Sequence, residues 1–136
     1  MVLTTSEIEK LLDNAKLRHT KQRTQLAKML FKAENRHFTA EQLHKEAQIA
    51  GHTISLATIY NTLHQFRRAG LLRQVIVEPG KVYFDTNTEP HHHFYIEDDG
   101  ELLDVERNKV KISALPEIPK DCNIQGMDVI IRLRKK

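Results

Sequence analysis

The sequence predicts an α+β protein with an N-terminal winged helix-turn-helix domain followed by a strand-rich part that forms a small antiparallel sheet. Three observations predict it. Four segments before residue 70 have helical periodicity and capping residues, a hairpin pattern follows the fourth segment, and the remaining apolar residues occur in short β-branched runs. Two helices joined by a tight turn, with a hairpin after the second, are the layout of a winged helix-turn-helix.

The first three helices are predicted from their apolar spacing and their caps. The first runs from Ser6 to Lys16, and Thr20 caps the second. Thr39, with Gln42 three residues later, forms a capping box for the third. The positions expected to face the core are Ile8, Leu11, Leu12, Ala15, Leu26, Met29, Leu30, Ala33, Leu43, Ala47 and Ala50.

The fourth helix and the hairpin complete the predicted winged domain. A Gly-containing connection at 51–54 leads to Ser55, which caps a helix that ends near Ala69, with Gly70 in the C′ position. Residues 72–77 and 82–85 alternate like strands, and Pro79-Gly80 between them suits a tight turn. Beyond them, the predicted strands are 93–97, 101–105, 110–112 and 128–134.

The composition is that of a soluble globular protein, which we expect to be cytoplasmic. The chain has 136 residues, of which 40% are hydrophobic and 29% charged. No apolar run has the length of a membrane span and no signal-peptide pattern is present, so we expect no membrane partner. The single cysteine, Cys122, excludes an internal disulfide and a cysteine-rich zinc site within one chain, and we expect it to be a free thiol in a reducing compartment.

The charge distribution and the fourth helix both favour DNA as a partner. Residues 1–85 carry 13 Lys/Arg against 8 Asp/Glu, whereas residues 86–136 carry 8 against 10. A basic stretch with Arg18, Lys21 and Arg23 lies at the start of the second helix, where cations and a helix end favour phosphate. We therefore expect the first domain to meet double-stranded DNA.

The fourth helix has an apolar face and an opposite face of neutral hydrogen-bonding groups. The predicted apolar face is Leu56, Ile59, Leu63 and Phe66. The opposite face is Ser55, Thr58, Tyr60, Asn61, Thr62 and Gln65. On a recognition helix, Tyr60 and threonine methyls would pack on thymine methyls, and Asn61 or Gln65 would pair with adenine. An ordinary amphipathic helix with an uncharged solvent face is the alternative.

Three consecutive histidines suggest a metal site. In a strand, His91 and His93 share a face and His92 points the other way, so neutral imidazoles could bind one cation together with carboxylates. The other ligand candidates are Asp85, Asp104 and His37, which is predicted in the loop before the third helix. Such a set suits Fe(II), Mn(II) or Zn(II). Solvated loop histidines and a catalytic iron held by two histidines and a carboxylate are the alternatives.

The whole chain resembles the ferric uptake regulator family. The motifs that carry the resemblance are residues 17–23 (LRHTKQR), 36–41 (RHFTAE), 55–63 (SLATIYNTL) and 84–93. The resemblance implies a dimeric, metal-responsive transcription factor with a winged-helix DNA-binding domain, residues 1–85, and a C-terminal α/β dimerisation and sensing domain, residues 86–136. It implies that Arg18 enters the minor groove and that Tyr60 contacts the major groove.

The resemblance also implies the ligands of a regulatory metal. His37, Asp85, His91, His93 and Asp104 match the positions at which peroxide-sensing members bind iron or manganese. Many members bind a structural zinc with two Cys-x-x-Cys pairs. Here Ile96 and Asp99 occupy the first pair's positions and the second pair has no counterpart, so no four-cysteine zinc is expected.

In these departures the chain is similar to the iron response regulator branch of the family. Three consecutive histidines and the runs at 58–66, 83–87 and 127–134 carry that similarity. The branch implies that His91, His92 and His93 take part in haem binding, and that the regulator is active under iron limitation and switched by haem or metal. We expect a homodimer on an A·T-rich palindromic operator. The alternatives are a metal-activated repressor that senses peroxide or ferrous iron, and a His/Asp metalloenzyme.

Overall fold

A computed structural model describes residues 3–32 and 34–136, which form two compact units, one ending at Thr88 and the other spanning Glu89–Lys136. The elements of the first unit are α1 (Thr5–Asn14), α2 (Lys21–Leu30), β1 (His37–Phe38), α3 (Ala40–Ile49), α4 (Leu56–Arg68), β2 (Arg73–Glu78) and β3 (Lys81–Asp85). Those of the second unit are β4 (His92–Ile96), β5 (Glu101–Val105), a 3₁₀ helix (Arg107–Lys109) and β6 (Ile130–Leu133). Ala33, predicted on the inner face of α2, lies outside the described residues.

Each of the four helices begins at a hydroxyl side chain that satisfies an otherwise unpaired backbone N–H group. The predicted caps Thr20, Thr39 and Ser55 are confirmed, each accepting from the backbone of the third helical residue. The first helix begins one residue before the predicted Ser6, because Thr4 and Glu7 form a capping box with two hydrogen bonds of 3.1 Å.

The helices of the first unit pack around one apolar core. Its fully enclosed side chains include Ile8, Leu12, Leu26, Leu30, Phe38, Leu43, Ile59, Leu63 and Phe66. Most of the predicted inner positions are therefore confirmed. Ala50 was wrongly placed among them: it is the exposed C-cap residue of α3, because the helix ends at Ile49 and the chain turns away. No helix within the described residues has the length and apolar character that a bilayer-spanning segment requires.

A three-stranded antiparallel sheet with the order β1-β3-β2 completes the first unit. The predicted hairpin is confirmed, with Gly80 at φ 78°, a left-handed conformation that glycine adopts without strain. His37 was predicted in a loop, which is wrong: it lies on β1, opposite Asp85 on β3. A two-residue strand has too little periodicity to be detected from sequence, and it forms because β3 supplies its hydrogen-bonding partner.

An ion pair fastens the start of β1 to α3. The guanidinium of Arg36 donates to both carboxylate oxygens of Glu46, at 2.8 and 2.7 Å, and lies 5.2 Å from the centroid of the Phe38 ring. The hydrogen bond to Glu46 raises the pKa of Arg36, and the same hydrogen bond lowers the pKa of Glu46. The Arg36 backbone N–H also donates to Thr86 Oγ1 at 2.9 Å, which ties β1 to the end of β3.

We expect Glu46→Gln to destabilise the protein by about 0.5 kcal/mol near neutral pH, because a half-exposed bidentate pair is partly screened by solvent. Since the folded-state pKa of Glu46 lies below its unfolded value of about 4.3, the contribution is present above that pH and is lost as the pH falls through the folded pKa. Urea unfolding of both proteins at pH 7 and pH 3 measures the difference. A gap that does not shrink between pH 7 and pH 3 would contradict an ionic origin.

The second unit is a three-stranded sheet with the order β5-β4-β6. The predicted small sheet is confirmed: β4 pairs antiparallel with β5, and the structure adds a parallel pairing between β4 and β6. Residues 110–112 were predicted as a strand, which is wrong, because these residues join neither sheet. Several apolar side chains of this unit are exposed, namely Leu103, Ile112, Leu115, Ile118, Ile124, Met127, Ile131 and Leu133.

Candidate metal centre and nucleic-acid interface

Two histidines and one carboxylate of the second unit converge on one point. Asp104 on β5 lies directly opposite His93 on β4, and His91 precedes His93 by two residues. The Nε2 atoms of His91 and His93 lie 3.4 and 3.3 Å from the same Asp104 Oδ1, and the two rings are 4.5 Å apart between centroids. His93 is fully buried and His91 nearly so, whereas the Asp104 side chain is half exposed.

The ring orientation of His91 is fixed by a backbone group. Its Nδ1 lies 2.7 Å from the carbonyl oxygen of Glu89. A carbonyl only accepts, so Nδ1 carries the proton and, in the neutral ring, Nε2 keeps its lone pair. This is the arrangement in which metal-binding histidines are commonly held, with one nitrogen anchored and the other directed at the ion.

The distances among these three side chains fit a small divalent cation. Ligand atoms about 2.1 Å from an ion at tetrahedral or octahedral angles are about 3.0 to 3.4 Å from one another. The two Nε2–Oδ1 separations fall in that interval, and the ligand atoms of the three residues all lie within 4.8 Å of one another. Two imidazole nitrogens and a carboxylate oxygen suit Fe(II), Mn(II) or Zn(II). The trio could therefore hold such an ion with little rearrangement.

His92 is directed elsewhere, as the alternation along a strand predicts. Its Nδ1 accepts a hydrogen bond of 3.0 Å from the backbone N–H of Val129, which precedes β6. The buried ring also lines a cavity of about 240 Å³ together with Arg107 and Met127. His92 thus has a structural role in holding the β6 segment, and it does not join the convergence of His91 and His93.

The remaining predicted metal ligands, His37 and Asp85, are brought together in the first unit. They are cross-strand partners on β1 and β3. The Asp85 carboxylate is buried and accepts from the backbone N–H of Asn87 at 2.9 Å. The His37 ring packs edge-on against Tyr83, with 6.5 Å between centroids.

The surface of α4 shows which of the predicted DNA-contacting residues are accessible. Asn61 and its neighbour Ala57 are exposed on the outer stripe of the helix, and Thr58 is half buried. Thr62 was wrongly assigned to this surface, because it is buried and donates to the carbonyl of Thr58 at 2.8 Å. A cavity of about 280 Å³ between α2 and α4 is lined by Thr20, Gln22, Arg23, Thr58, Asn61, Thr62 and Gln65.

The residues at the start of α2 and α4 differ in the exposure of their side chains and in the hydrogen bonds that these side chains make. Arg18 and Lys21 are exposed, as a phosphate or groove contact requires. The Ser55 hydroxyl already makes two intramolecular hydrogen bonds: it caps α4, and it donates to Thr58 Oγ1 at 2.9 Å. Arg23 is half buried and directs its guanidinium at Gln65 and at the carbonyl of Arg18.

Tyr60 has a partner that the sequence did not reveal. Its hydroxyl donates to Glu41 Oε1 on α3 at 2.5 Å, and this hydrogen bond raises the pKa of Tyr60. The ring stacks on His64 with 6.4 Å between centroids. Glu41 lies within the RHFTAE motif, but nothing in its local pattern indicates a contact with a residue nineteen positions later.

Comparison with known proteins identifies the family of the chain. The model of the ferric uptake regulator family matches residues 14–133. The ferric uptake regulation protein of Pseudomonas aeruginosa is 31% identical over 128 residues, covering 92% of this chain and 95% of that protein. That of Vibrio anguillarum is 32% identical over 121 residues, covering 88% and 80%.

Solved structures give the same result. The Pseudomonas aeruginosa ferric uptake regulator with manganese superposes with a TM-score of 0.71 at 26% identity, over 95% of this chain and 98% of that chain. The Vibrio cholerae regulator shares the fold, with a TM-score of 0.72 at 24% identity over 93% and 98%. The chain therefore belongs to the ferric uptake regulator family, whose members are metal-responsive, DNA-binding transcription regulators and not enzymes.

Proposed function

We propose that this protein is a homodimeric transcription regulator of iron and haem homeostasis whose DNA affinity is set by a divalent ion bound at His91, His93 and Asp104. The observation that carries the proposal is the convergence of two buried imidazoles, through their Nε2 atoms, on one carboxylate oxygen of the second unit. The His91 ring, whose Nδ1 is held by the Glu89 carbonyl, directs its Nε2 at the same carboxylate oxygen as His93, and such an anchored imidazole suits a metal ion.

His37 and Asp85 are proposed as further ligands of the same ion, as the family resemblance implies. Their cross-strand placement supports a joint role, because one ion can reach both side chains of such a pair. Ligands contributed by both units would give metal binding a means to favour one domain arrangement. Metal changes DNA affinity only to the extent that it binds the two arrangements differently.

The DNA-binding surface is proposed to comprise Arg18, Lys21 and Arg23 with Ser55, Thr58, Tyr60 and Asn61. An exposed cationic start of α2 beside a neutral α4 supports contact with phosphates and base edges, respectively. Two copies of α4 in a dimer would read the two halves of an A·T-rich palindrome. The exposed apolar residues of the second unit, such as Ile131 and Leu133 on β6, support that unit as the contact between copies.

A second candidate is a regulator that is active under iron limitation and released from DNA by haem. The three consecutive histidines favour it, since haem iron takes imidazole ligands and His92 remains outside the metal trio. In the metal-activated alternative, Fe(II) or Mn(II) promotes DNA binding, and oxidation at His37 and His91 would report peroxide. The two candidates differ in the sign of the response to metal and in the response to haem.

One titration separates these candidates. Affinity for an A·T-rich palindromic duplex is measured by fluorescence anisotropy in metal-free buffer, then with Mn(II), and then with haem. Binding that appears only with Mn(II) and ignores haem supports the metal-activated regulator. Tight metal-free binding that haem abolishes supports the haem-released regulator. Failure to bind DNA under all three conditions would contradict both.

We expect replacement of His91, His92 and His93 together by alanine to leave metal-free DNA affinity within about threefold, because none of the three lies on α2 or α4. The response to Mn(II) or haem should be lost, since its nitrogen ligands are absent. Anisotropy titrations check both parts. His92→Gln alone is the matched comparison, and it should lose the response only if haem is the effector. A triple variant that responds normally would exclude this segment as the sensor.

A further inference from the structure

We propose that Glu41 and Arg23 are positioning residues for the two flanks of α4, namely the Tyr60 flank beside α3 and the Gln65 flank beside α2. Glu41 makes Tyr60 a hydrogen-bond acceptor and Arg23 makes Gln65 a hydrogen-bond donor, which determines the bases that these two side chains accept. The inference rests on the proposed role of α4 in DNA recognition and adds two specificity-determining residues to it. It follows from two contacts that link α4 to its neighbours, one to α3 and one to α2.

The first contact makes Tyr60 a hydrogen-bond acceptor. A phenol has one proton to donate, and an ionised carboxylate only accepts, so the 2.5 Å hydrogen bond commits the Tyr60 proton to Glu41. The lone pairs of the Tyr60 oxygen remain for DNA. In the major groove they match the amino groups of adenine and cytosine, whereas guanine and thymine present only acceptors there. Tyr60 should therefore favour adenine or cytosine at the base that its oxygen meets.

The second contact makes Gln65 a hydrogen-bond donor. Its Oε1 accepts from Arg23 Nε at 3.0 Å and from Arg23 Nη2 at 2.9 Å. Because guanidinium groups only donate, the side-chain amide cannot be turned the other way. The amide NH₂ group is then available for base acceptors such as guanine O6 and N7 or thymine O4.

This arrangement changes the pairing that the residue type alone suggests for Gln65. Bidentate pairing with adenine needs both the oxygen and the nitrogen of the amide, and Arg23 already occupies the oxygen. Asn61, on the exposed stripe between the two flanks, is the residue that can still offer both groups. Arg23 is itself anchored, since its Nη1 donates to the carbonyl of Arg18 at 3.1 Å.

Rigid flanks of opposite polarity should give sharp base preferences. A side chain held in its binding conformation loses little entropy when it meets DNA, and the wrong base would leave two donors or two acceptors facing each other. Loss of one such hydrogen bond corresponds to a change of about five- to tenfold in relative affinity.

The test is selection from a randomised duplex library by the whole chain, carried out in metal-free buffer and in buffer with Mn(II). Tyr60→Phe and Gln65→Ala identify the base positions that each side chain reads. Wild type should prefer adenine or cytosine about five- to tenfold at the Tyr60 position. Glu41→Ala should reduce that preference below about twofold, whereas Glu41→Gln, which keeps an acceptor for the phenol, should retain it. Arg23→Ala should raise the preference for adenine at the Gln65 position by a similar factor.

The outcomes separate this inference from the proposed function. If wild type enriches a motif and Glu41→Ala and Arg23→Ala enrich the same motif with unchanged preferences, the inference is overturned and DNA recognition by α4 stands. A purely structural role for Glu41 or Arg23 would lower affinity for every sequence and leave the base preferences unchanged, which also overturns it. If wild type enriches no motif, the proposed function itself fails.

Discussion

His93→Gln is expected to lower the affinity for Mn(II) by at least about a hundredfold, because it removes an imidazole nitrogen from the convergence with His91 and Asp104. Glutamine keeps a polar side chain of similar reach at a fully buried position, so the fold is retained better than with alanine. Isothermal titration of metal-free protein with Mn(II) gives the affinity. Thermal unfolding in the presence of chelator shows whether the apo-protein is intact.

His92→Gln is the matched control for that measurement. The same substitution one residue earlier affects a ring that faces away from Asp104 and contacts Val129. We expect its Mn(II) affinity to stay within about threefold of wild type. Asp104→Asn should resemble His93→Gln, because an amide oxygen without charge is a weaker ligand. Equal losses from His92→Gln and His93→Gln would exclude the trio as the metal centre.

His37→Gln and Asp85→Asn extend the test to the first unit. If these residues complete the coordination of the same ion, each should also weaken Mn(II) binding while the trio is intact. Unchanged affinity in both variants would restrict the site to His91, His93 and Asp104. The comparison therefore decides how many of the five ligands expected from the family resemblance are used.

Tyr60→Ala is expected to weaken specific DNA binding by about ten- to a hundredfold per dimer, because each half-site loses an aromatic contact and a hydrogen-bond acceptor. The substitution also exposes part of the His64 ring, on which Tyr60 stacks, but it leaves the enclosed residues of α4 in place. Fluorescence anisotropy with specific and scrambled duplexes measures the loss. Affinity for the scrambled duplex should change little, since phosphate contacts supply most of it.

Two controls make the Tyr60 result interpretable. Tyr60→Phe keeps the ring and removes the hydroxyl, so it should recover the part of the affinity that comes from packing on thymine methyls. Sedimentation of Tyr60→Ala should show an unchanged oligomeric state, because the proposed contact between copies lies in the second unit. Wild-type affinity in Tyr60→Ala would remove α4 from the recognition surface.

Local signals in the sequence were sufficient for the helices and the hairpin. Each cap at Thr20, Thr39 and Ser55 depends on a hydrogen bond to the third residue along the chain, and the Pro79-Gly80 turn joins adjacent strands. The shared face of His91 and His93 follows from alternation alone. Such features need no knowledge of distant partners, which explains why they could be predicted.

Non-local pairing decided the rest. β1 exists because β3 lies beside it, and the register of β4 with β5 places Asp104 opposite His93. The residues at 110–112 have strand-like composition but no neighbouring strand, and composition alone cannot supply one. Thr62 was predicted on the polar face of the fourth helix, yet it is buried because the helix packs on that flank as well.

By itself, therefore, the sequence determined the winged-helix plan, the family and the residue types available for metal and DNA. Only the tertiary structure decided which of those side chains meet: two histidines lie beside one carboxylate, Tyr60 donates to Glu41, and Arg23 donates to Gln65. The physical reason is the separation along the chain over which each kind of interaction acts. Periodicity and capping act over three or four residues, whereas a hydrogen bond between helices depends on positions that only the folded chain brings together.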